Sequence, residues 1–235
     1  MRKMLFGAVV ACLVALSPPA GADVNPSIVG GRDATEKYSF VVHLGGCGGV
    51  LIHPQWVLTA KHCLGLAPVG KSLRVGSIDR TAGGTMAKVV RAVGHPTNDQ
   101  GLVQLAAPVS HQPAPVAASA AVGTPIRLLG WGRTKSPGPS PSPTILQEVD
   151  TKVVTSPENC RPDPARICTD NPDGWRGACS GDSGGPAVTR TRTGWEVVGT
   201  TIGQRYVEPF KCANVPQLYS NAPFHRDWIK SVIGS

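Results

Sequence analysis

The chain is poor in aromatic residues, at 5% of the sequence, and in charge, at 16%. Its basic side chains form no dense run, and with so few rings it offers no surface for stacking bases, which argues against nucleic acid as a partner. It has no C-x-x-C pair and its six histidines are scattered, which argues against a zinc site or any other metal requirement. Beyond its first residues it lacks an apolar run of the about 20 residues that a bilayer span needs. Helix-favouring charged residues are scarce, whereas Gly (28), Pro (22), Val and Thr are plentiful, a balance that favours many short strands joined by turns. The formal net charge of +8 is read as the surface of an exported soluble protein, with some capacity to attract acidic partners.

The amino terminus reads as a secretory signal over residues 1–22. Arg2 and Lys3 supply the charged region, residues 5–16 the apolar stretch, and Ala20-Gly21-Ala22 the cleavage site. A secreted, extracellular protein with no membrane attachment after signal removal is expected. Of the seven cysteines, Cys12 leaves with the signal, and Cys47, Cys63, Cys160, Cys168, Cys179 and Cys212 remain. An even set in an oxidising compartment suggests disulfides, with the pairing left open by the sequence.

Strand-like segments fall at 39–44, 49–53, 56–60, 72–78, 87–93 and 102–106, then at 125–129, 145–154, 185–189, 195–201 and 217–221. Glycine, proline and Asx clusters separate them, as in an all-β barrel or sandwich. Residues 111–124 are Ala/Pro/Val-rich and read as a linker between two halves. The run 136–143 alternates Ser or Gly with Pro and is expected as an exposed loop, because proline cannot complete a sheet ladder. One helix is expected at the end, capped by Asn221, with Phe224, Trp228, Ile229, Val232 and Ile233 on one face and Gly234 as its stop.

Three runs carry chemistry. Gly177-Ala178-Cys179-Ser180-Gly181-Asp182-Ser183-Gly184-Gly185-Pro186 places a serine among glycines, whose turns let backbone N–H groups converge on one point. A serine hydroxyl needs a neighbouring base near neutral pH. Thr59-Ala60-Lys61-His62-Cys63 offers one: an imidazole at a corner following the apolar run 56–60. Ile28-Val29-Gly30-Gly31 offers an apolar segment that could become a new amino terminus.

These runs, with Leu129-Gly130-Trp131-Gly132 and the closing helix, resemble the trypsin/chymotrypsin family of serine endopeptidases over nearly the whole chain after Ile28. The resemblance implies two six-stranded antiparallel β-barrels with a C-terminal α-helix, over 28–120 and 121–235, and a site in the cleft between them. It implies Ser183 as nucleophile, His62 as general base, Asp99 as the carboxylate orienting the imidazole, and the N–H groups of Gly181 and Ser183 as oxyanion hole. Asp99 heads Asp99-Gln100-Gly101-Leu102-Val103-Gln104-Leu105, which is similar to the family's strand apart from the polar Gln100; Asp79, in a turn, is the alternative orienter. Lys61 stands where the family usually has alanine, and its ammonium could lower the imidazole pKa. The implied disulfides are Cys47–Cys63, Cys160–Cys168 and Cys179–Cys212. No cofactor is implied; the implied partners are protein or peptide substrates and an activating protease, and a monomer is expected.

In this family the amine freed before the Ile-Val-Gly-Gly run folds inward and pairs with the aspartate preceding the nucleophile. Here these are Ile28 and Asp182, which leaves 23–27 as a short pro-segment ending at Ser27, so no trypsin-like activator is indicated. The pocket floor falls at Gly177 rather than an aspartate, with Gly203 and Gln217 as walls. Gln217 replaces a glycine and is expected to narrow the pocket or to set an amide at its base, and Arg176 would repel cations if it pointed inward. A preference for small or polar uncharged residues before the scissile bond follows. The competing expectation is a catalytically silent relative serving as a binding module.

Overall fold

Runs of aliphatic and β-branched residues, cut by glycine and proline turns, become short strands that close on themselves twice. The computed structural model describes residues 28–155, 160, 163–206, 209 and 211–234, so the expected signal and the pro-segment 23–27 lie outside the described residues. The strands are β1 (Arg32–Asp33), β2 (Val41–His43), β3 (Gly48–His53), β4 (Trp56–Thr59), β5 (Ser72–Val75), β6 (Thr85–Gly94) and β7 (Gly101–Leu105). After them come β8 (Pro125–Gly130), β9 (Gln147–Val154), β10 (Arg166–Thr169), β11 (Pro186–Thr191), β12 (Gly194–Gln204) and β13 (Gln217–Asn221). A helix, α1 (Arg226–Ile233), follows them.

The first barrel closes in the order β2-β3-β4-β7-β6-β5, all antiparallel. The second runs β9-β10-β13-β12-β11-β8 and is closed by β8 on β9, from Pro125↔Lys152 to Gly130↔Gln147. Bulges between Leu51 and His53, Val89 and Arg91, Ala187 and Val188, and Thr201 and Gly203 supply the bending that closure requires. Val41, Val50, Leu58, Leu73, Val89 and Leu102 are buried in the first barrel, and Ile126, Leu128, Val149, Ile167, Val198 and Tyr219 in the second. Each such side chain contributes about 1.5–3 kcal/mol through removal from water. The chain is thus an all-β, chymotrypsin-like pair of barrels with one short C-terminal helix.

Chain order and barrel membership part at both ends. Ile28 is buried in the second barrel's core, Val29 bridges Gly177, and β1 pairs with β9 at Arg32↔Glu148. The buried Glu148 carboxylate holds this first segment in place: it accepts from Tyr38 Oη at 2.5 Å, Thr35 N at 3.2 Å and Arg32 Nε at 3.0 Å. At the other end, Trp228 of α1 lies 5.0 Å from the ring of His95, which belongs to the first barrel.

Asn221 is not the helix cap: it ends β13, and its amide donates to Pro164 O at 2.8 Å. His225 occupies the N-cap position without a side-chain bond, and Phe224 is exposed rather than on the buried face. Gly234 stops the helix as expected, its left-handed backbone (φ 79°) bringing its N–H to Lys230 O. The linker 111–124 is laced to both barrels, Ala114 N to Leu51 O and Ala117 N to Val197 O, each at 2.9 Å. The proline-rich loop 136–143 holds no strand and is largely exposed. The three disulfides are Cys47–Cys63, Cys160–Cys168 and Cys179–Cys212.

Candidate active site

Where β4 leaves the first barrel, Thr59 Oγ1 donates to Gly48 O at 2.8 Å and the chain enters a 3-10 turn, Lys61–Leu66. Cys63 is buried in that turn and its disulfide to Cys47 fixes the corner, leaving the His62 ring half-exposed at the seam between barrels. Asp99, at the entry to β7, meets it from the other side. Its Oδ2 lies 2.7 Å from His62 Nδ1, and its Oδ1 accepts the His62 backbone N–H at 2.9 Å. The Asp99 hydrogen bond raises the His62 pKa above the ordinary imidazole value, with burial opposing it. Burial also pushes the Asp99 carboxyl up, but hydrogen bonds from His62 outweigh it and hold the group below its usual range.

Lys61 does not face the imidazole. Its ammonium donates to His95 O at 2.7 Å, and the expected lowering of the His62 pKa by Lys61 is replaced by a rise set by Asp99. Asp79 is committed to its own turn, where Oδ1 accepts Thr81 N and Thr81 Oγ1, both at 2.7 Å. Gln100, whose polarity broke the strand pattern, is fully buried and spans the seam. Its Nε2 donates to Thr59 O at 2.8 Å and to Thr200 Oγ1 at 3.1 Å, joining β4 to β12 next to Asp99 in the chain.

Ser183 reaches the same seam from the second barrel. Its carbonyl accepts Gly48 N at 2.8 Å, so its backbone is bound to the residue next to Cys47, across the disulfide from His62. Gly184 makes this approach possible: at φ +73°, a Cβ there would sit 2.2 Å from Thr59 Oγ1 and 2.6 Å from Gly48 O. Among the described residues the Ser183 hydroxyl holds no hydrogen bond, to His62 or to any other group. The N–H groups of Gly181 and Ser183 likewise have no protein partner. Contacts between a nucleophile and its base commonly tighten only once substrate is bound.

Asp182 is buried, with Oδ1 accepting Gly132 N at 2.7 Å and Oδ2 accepting Cys179 N at 2.8 Å. Burial raises its pKa to about 7 against those two bonds, and no cation is paired with it among the described residues. Gly132 has no room for a side chain, since a Cβ would fall 2.3 Å from Asp182 Oδ2. Ile28 is fully buried with φ 51°, and Gly177 N donates to Val29 O at 3.0 Å, so the first described residues lie against the segment that carries Asp182.

Beside Ser183 is a cavity of about 250 Å³ lined by Ala178, Cys179, Ser180, Thr201, Gly203, Gln204, Cys212 and Gln217, none of them charged. Gln217 closes its floor: Oε1 accepts Ala178 N at 2.6 Å, and Nε2 donates back to Ala178 O. The amide fills the space a Cβ on Gly177 would need, 2.6 Å from that position. Both of its polar ends are satisfied, so it acts as a wall. Gln204 is fastened similarly, to Ala213 N at 2.8 Å and Lys211 O at 2.7 Å. Arg176 does not line the cavity; it pairs with Asp173 at 2.8 Å and lies over the Trp175 ring. Cys47, Cys63 and His62 crowd within 4.8 Å, but both sulfurs are in the disulfide and cannot serve as thiolate ligands.

The Gln217 amide lies at the pocket base, as its replacement of a glycine led one to expect, but its clamp on Ala178, the bridge by Gln100 and the anchoring of Gln204 were not legible in the sequence. A family model described as Trypsin matches residues 28–229. The chain is 30% identical over 236 residues to trypsin 5G1 of Aedes aegypti, covering 88% of this chain and 85% of that protein. It is 32% identical over 234 residues to trypsin of Pleuronectes platessa, covering 88% of this chain and 90% of that one.

Proposed function

The chain belongs to the trypsin family and is a serine endopeptidase acting on protein or peptide substrates, and from that premise we propose that His62, Asp99 and Ser183 are its catalytic residues. The observation that carries this reading is the two-point grip of Asp99 on His62, together with a serine whose carbonyl is bonded to Gly48, next to the Cys47–Cys63 disulfide, and whose hydroxyl is uncommitted among the described residues. Asp99 fixes the ring with its proton on Nδ1, leaving Nε2 as the base. Ser183 Oγ attacks the scissile carbonyl carbon and passes its proton to Nε2. The resulting oxyanion accepts hydrogen bonds from Gly181 N and Ser183 N, which have no protein acceptor among the described residues. Collapse returns the His62 proton to the leaving amine and leaves an acyl ester on Ser183. A water molecule, deprotonated by His62, then releases the acid and restores the hydroxyl.

The same proposal includes export and activation. Signal removal after Ala22 and a cut after Ser27 would free the Ile28 amine, and the buried Asp182 carboxylate is its counter-ion. Pairing would order the segment from Cys179 to Ser183, because Cys179 N and Gly132 N are already bonded to that carboxylate. The six cysteines in three disulfides support an oxidising, extracellular destination. No helix among the described residues is long and apolar enough to cross a membrane.

Specificity follows from the floor. With Gln217 immobilised on Ala178 and no charge in the lining, the cavity suits a small, uncharged side chain before the scissile bond. Labelling of the processed protein with a fluorophosphonate tests the reading, with Ser183→Ala as control, followed by a peptide-library cleavage profile. Covalent labelling lost in Ser183→Ala is expected, with cleavage after Ala, Ser or Gly. An unlabelled protein would favour the silent binding module, and cleavage dominated by Lys or Arg would overturn the specificity.

A further inference from the structure

A second cavity, of about 260 Å³, opens on the other side of Gly181 and is lined by His43, Gly45, Gly46, Arg80, Trp131 and Ser142. It shares no lining residue with the cavity floored by Gln217. A carbonyl carbon bonded to Ser183, with its oxygen on the N–H groups of Gly181 and Ser183, sends its acyl side chain toward the first cavity. The amine half must then leave past Gly181 and the Cys47 corner, which is where the second cavity lies.

This wall is cationic. Arg80 donates through Nε to Pro143 O at 2.7 Å and through Nη2 to Ser142 O at 3.1 Å, leaving Nη1 without a protein partner among the described residues. Lys71 donates only to carbonyls, Leu44 O at 2.8 Å and Leu66 O at 2.6 Å, and lies 3.1 Å from where a Cβ on Gly45 would be. Arg74 is likewise held by the carbonyls of Arg80, Gly83 and Thr81. Carbonyl acceptors position these cations without cancelling their charge. Asp79 turns its Oδ1 into its own loop, and its carboxyl is held below its usual range by the Thr81 and Ala82 bonds and then by the charge of Arg74. Gly45 and Gly46 add no side chains of their own to the lining.

We propose that this cavity is a leaving-group subsite that takes the carboxylate of an aspartate or glutamate at one of the first two positions after the scissile bond, held by Arg80. The proposal rests on the reading of Ser183 as nucleophile. The same cations act on His43, whose pKa is driven down to about 4, first by burial and then by Arg80, Lys71 and Arg74. His43 is therefore neutral near pH 7, its ring edge-on to Trp131 at 5.3 Å, and it adds a polar wall rather than a fourth charge.

The test uses the full chain expressed for export and collected in its processed form, with active sites counted by fluorophosphonate labelling. Quenched fluorescent peptides share one acyl half and carry Glu, Gln or Lys at either of the two following positions. A Glu-over-Gln preference of about fivefold in kcat/KM at low salt is expected, the size of one partly exposed charge pair. It should shrink at 0.5 M salt, where charges are screened within a few ångströms. In Arg80→Gln the Glu/Gln ratio should fall to about one while Arg80→Lys retains part of it; because the readout is a ratio, a general loss of activity cancels. The salt series on the unaltered enzyme decides the matter if Arg80→Gln does not fold. A labelled enzyme that cleaves the Glu, Gln and Lys peptides alike overturns this proposal alone, whereas absence of labelling overturns the nucleophile reading and this proposal with it.

Discussion

Asp99 holds His62 with both of its carboxylate oxygens, Oδ2 at 2.7 Å from the ring Nδ1 and Oδ1 at 2.9 Å from the backbone N–H. One bond selects the tautomer and the other locks the backbone that aims the ring, so an amide cannot replace both functions. Asp99→Asn is expected to lower kcat by about 10⁴-fold, the loss associated with the wrong tautomer in such a triad, while circular dichroism stays unchanged.

The same pair sets the acid limb of the pH profile. The base must be neutral, and Asp99 raises the His62 pKa, so activity should grow with pH through a midpoint above the ordinary imidazole value. In stability the sign is reversed for His62: its contribution is complete below the unfolded-state imidazole pKa and fades as pH rises through the raised one, while that of Asp99 is lost at the acid end as pH falls through its depressed value. Asp99→Asn removes the leading cause of the rise and leaves burial, so the residual activity should have a lower midpoint. An unmoved midpoint would mean that another group controls this limb.

Removing the Gln217 side chain should deepen the first cavity. In Gln217→Gly the floor retreats to Gly177, and the Ala178 N–H and C=O are exposed to the enlarged space. Selectivity for Leu or Phe over Ala before the scissile bond, read as a ratio of kcat/KM, is expected to rise by about tenfold or more, since one methylene in such a pocket is worth about 1–3 kcal/mol. An unchanged ratio would place the size limit elsewhere.

The barrels were legible because period-two burial and turn residues repeat along most of the strands; β6, with Ala87 and Val89 inward and Met86 and Val90 outward, is a clear example. The sequence missed β1 and β10, two and four residues long, because a strand that short has too few alternations to register. It also misplaced the helix cap at Asn221, since an Asx residue before an apolar stripe can equally end a strand. Motif residues were recognisable by type and order. The partners of Gln100, Gln204 and Gln217 were not, because a buried amide's role depends on which carbonyl it meets, and those carbonyls lie far away in sequence.

Gln100 supplies a stability prediction on that basis. Its amide ties Thr59 O to Thr200 Oγ1 across the seam, while its own Oε1 is buried without a partner. Gln100→Ala should therefore cost about 1–3 kcal/mol, the penalty for stranding a buried acceptor, partly offset by removal of the unpaired oxygen. Urea denaturation should give a lower midpoint with the slope retained, and kcat should fall because β4, which leads into the His62 corner, is no longer braced.

The buried Asp182 makes stability depend on whether residue 28 carries a free amine. Without a cation, burial lifts the folded carboxyl from 3.8 to about 7, so the folded state holds a proton that the unfolded state has lost. Stability of the uncleaved chain must then decline as pH climbs from about 4 to about 7. In the processed form the Ile28 amine would favour the ionised carboxylate, and the linkage changes sign. Stability is present above the unfolded carboxyl value, is lost as pH falls through the depressed one, and fades again only above about pH 8, where the amine deprotonates. Urea titrations at several pH values should show opposite slopes for the uncleaved and processed chains, with Asp182→Asn flattening both. Parallel slopes in the two chains would sink the ion pair and with it the activation step, because only a new charge at residue 28 can reverse the sign of this linkage.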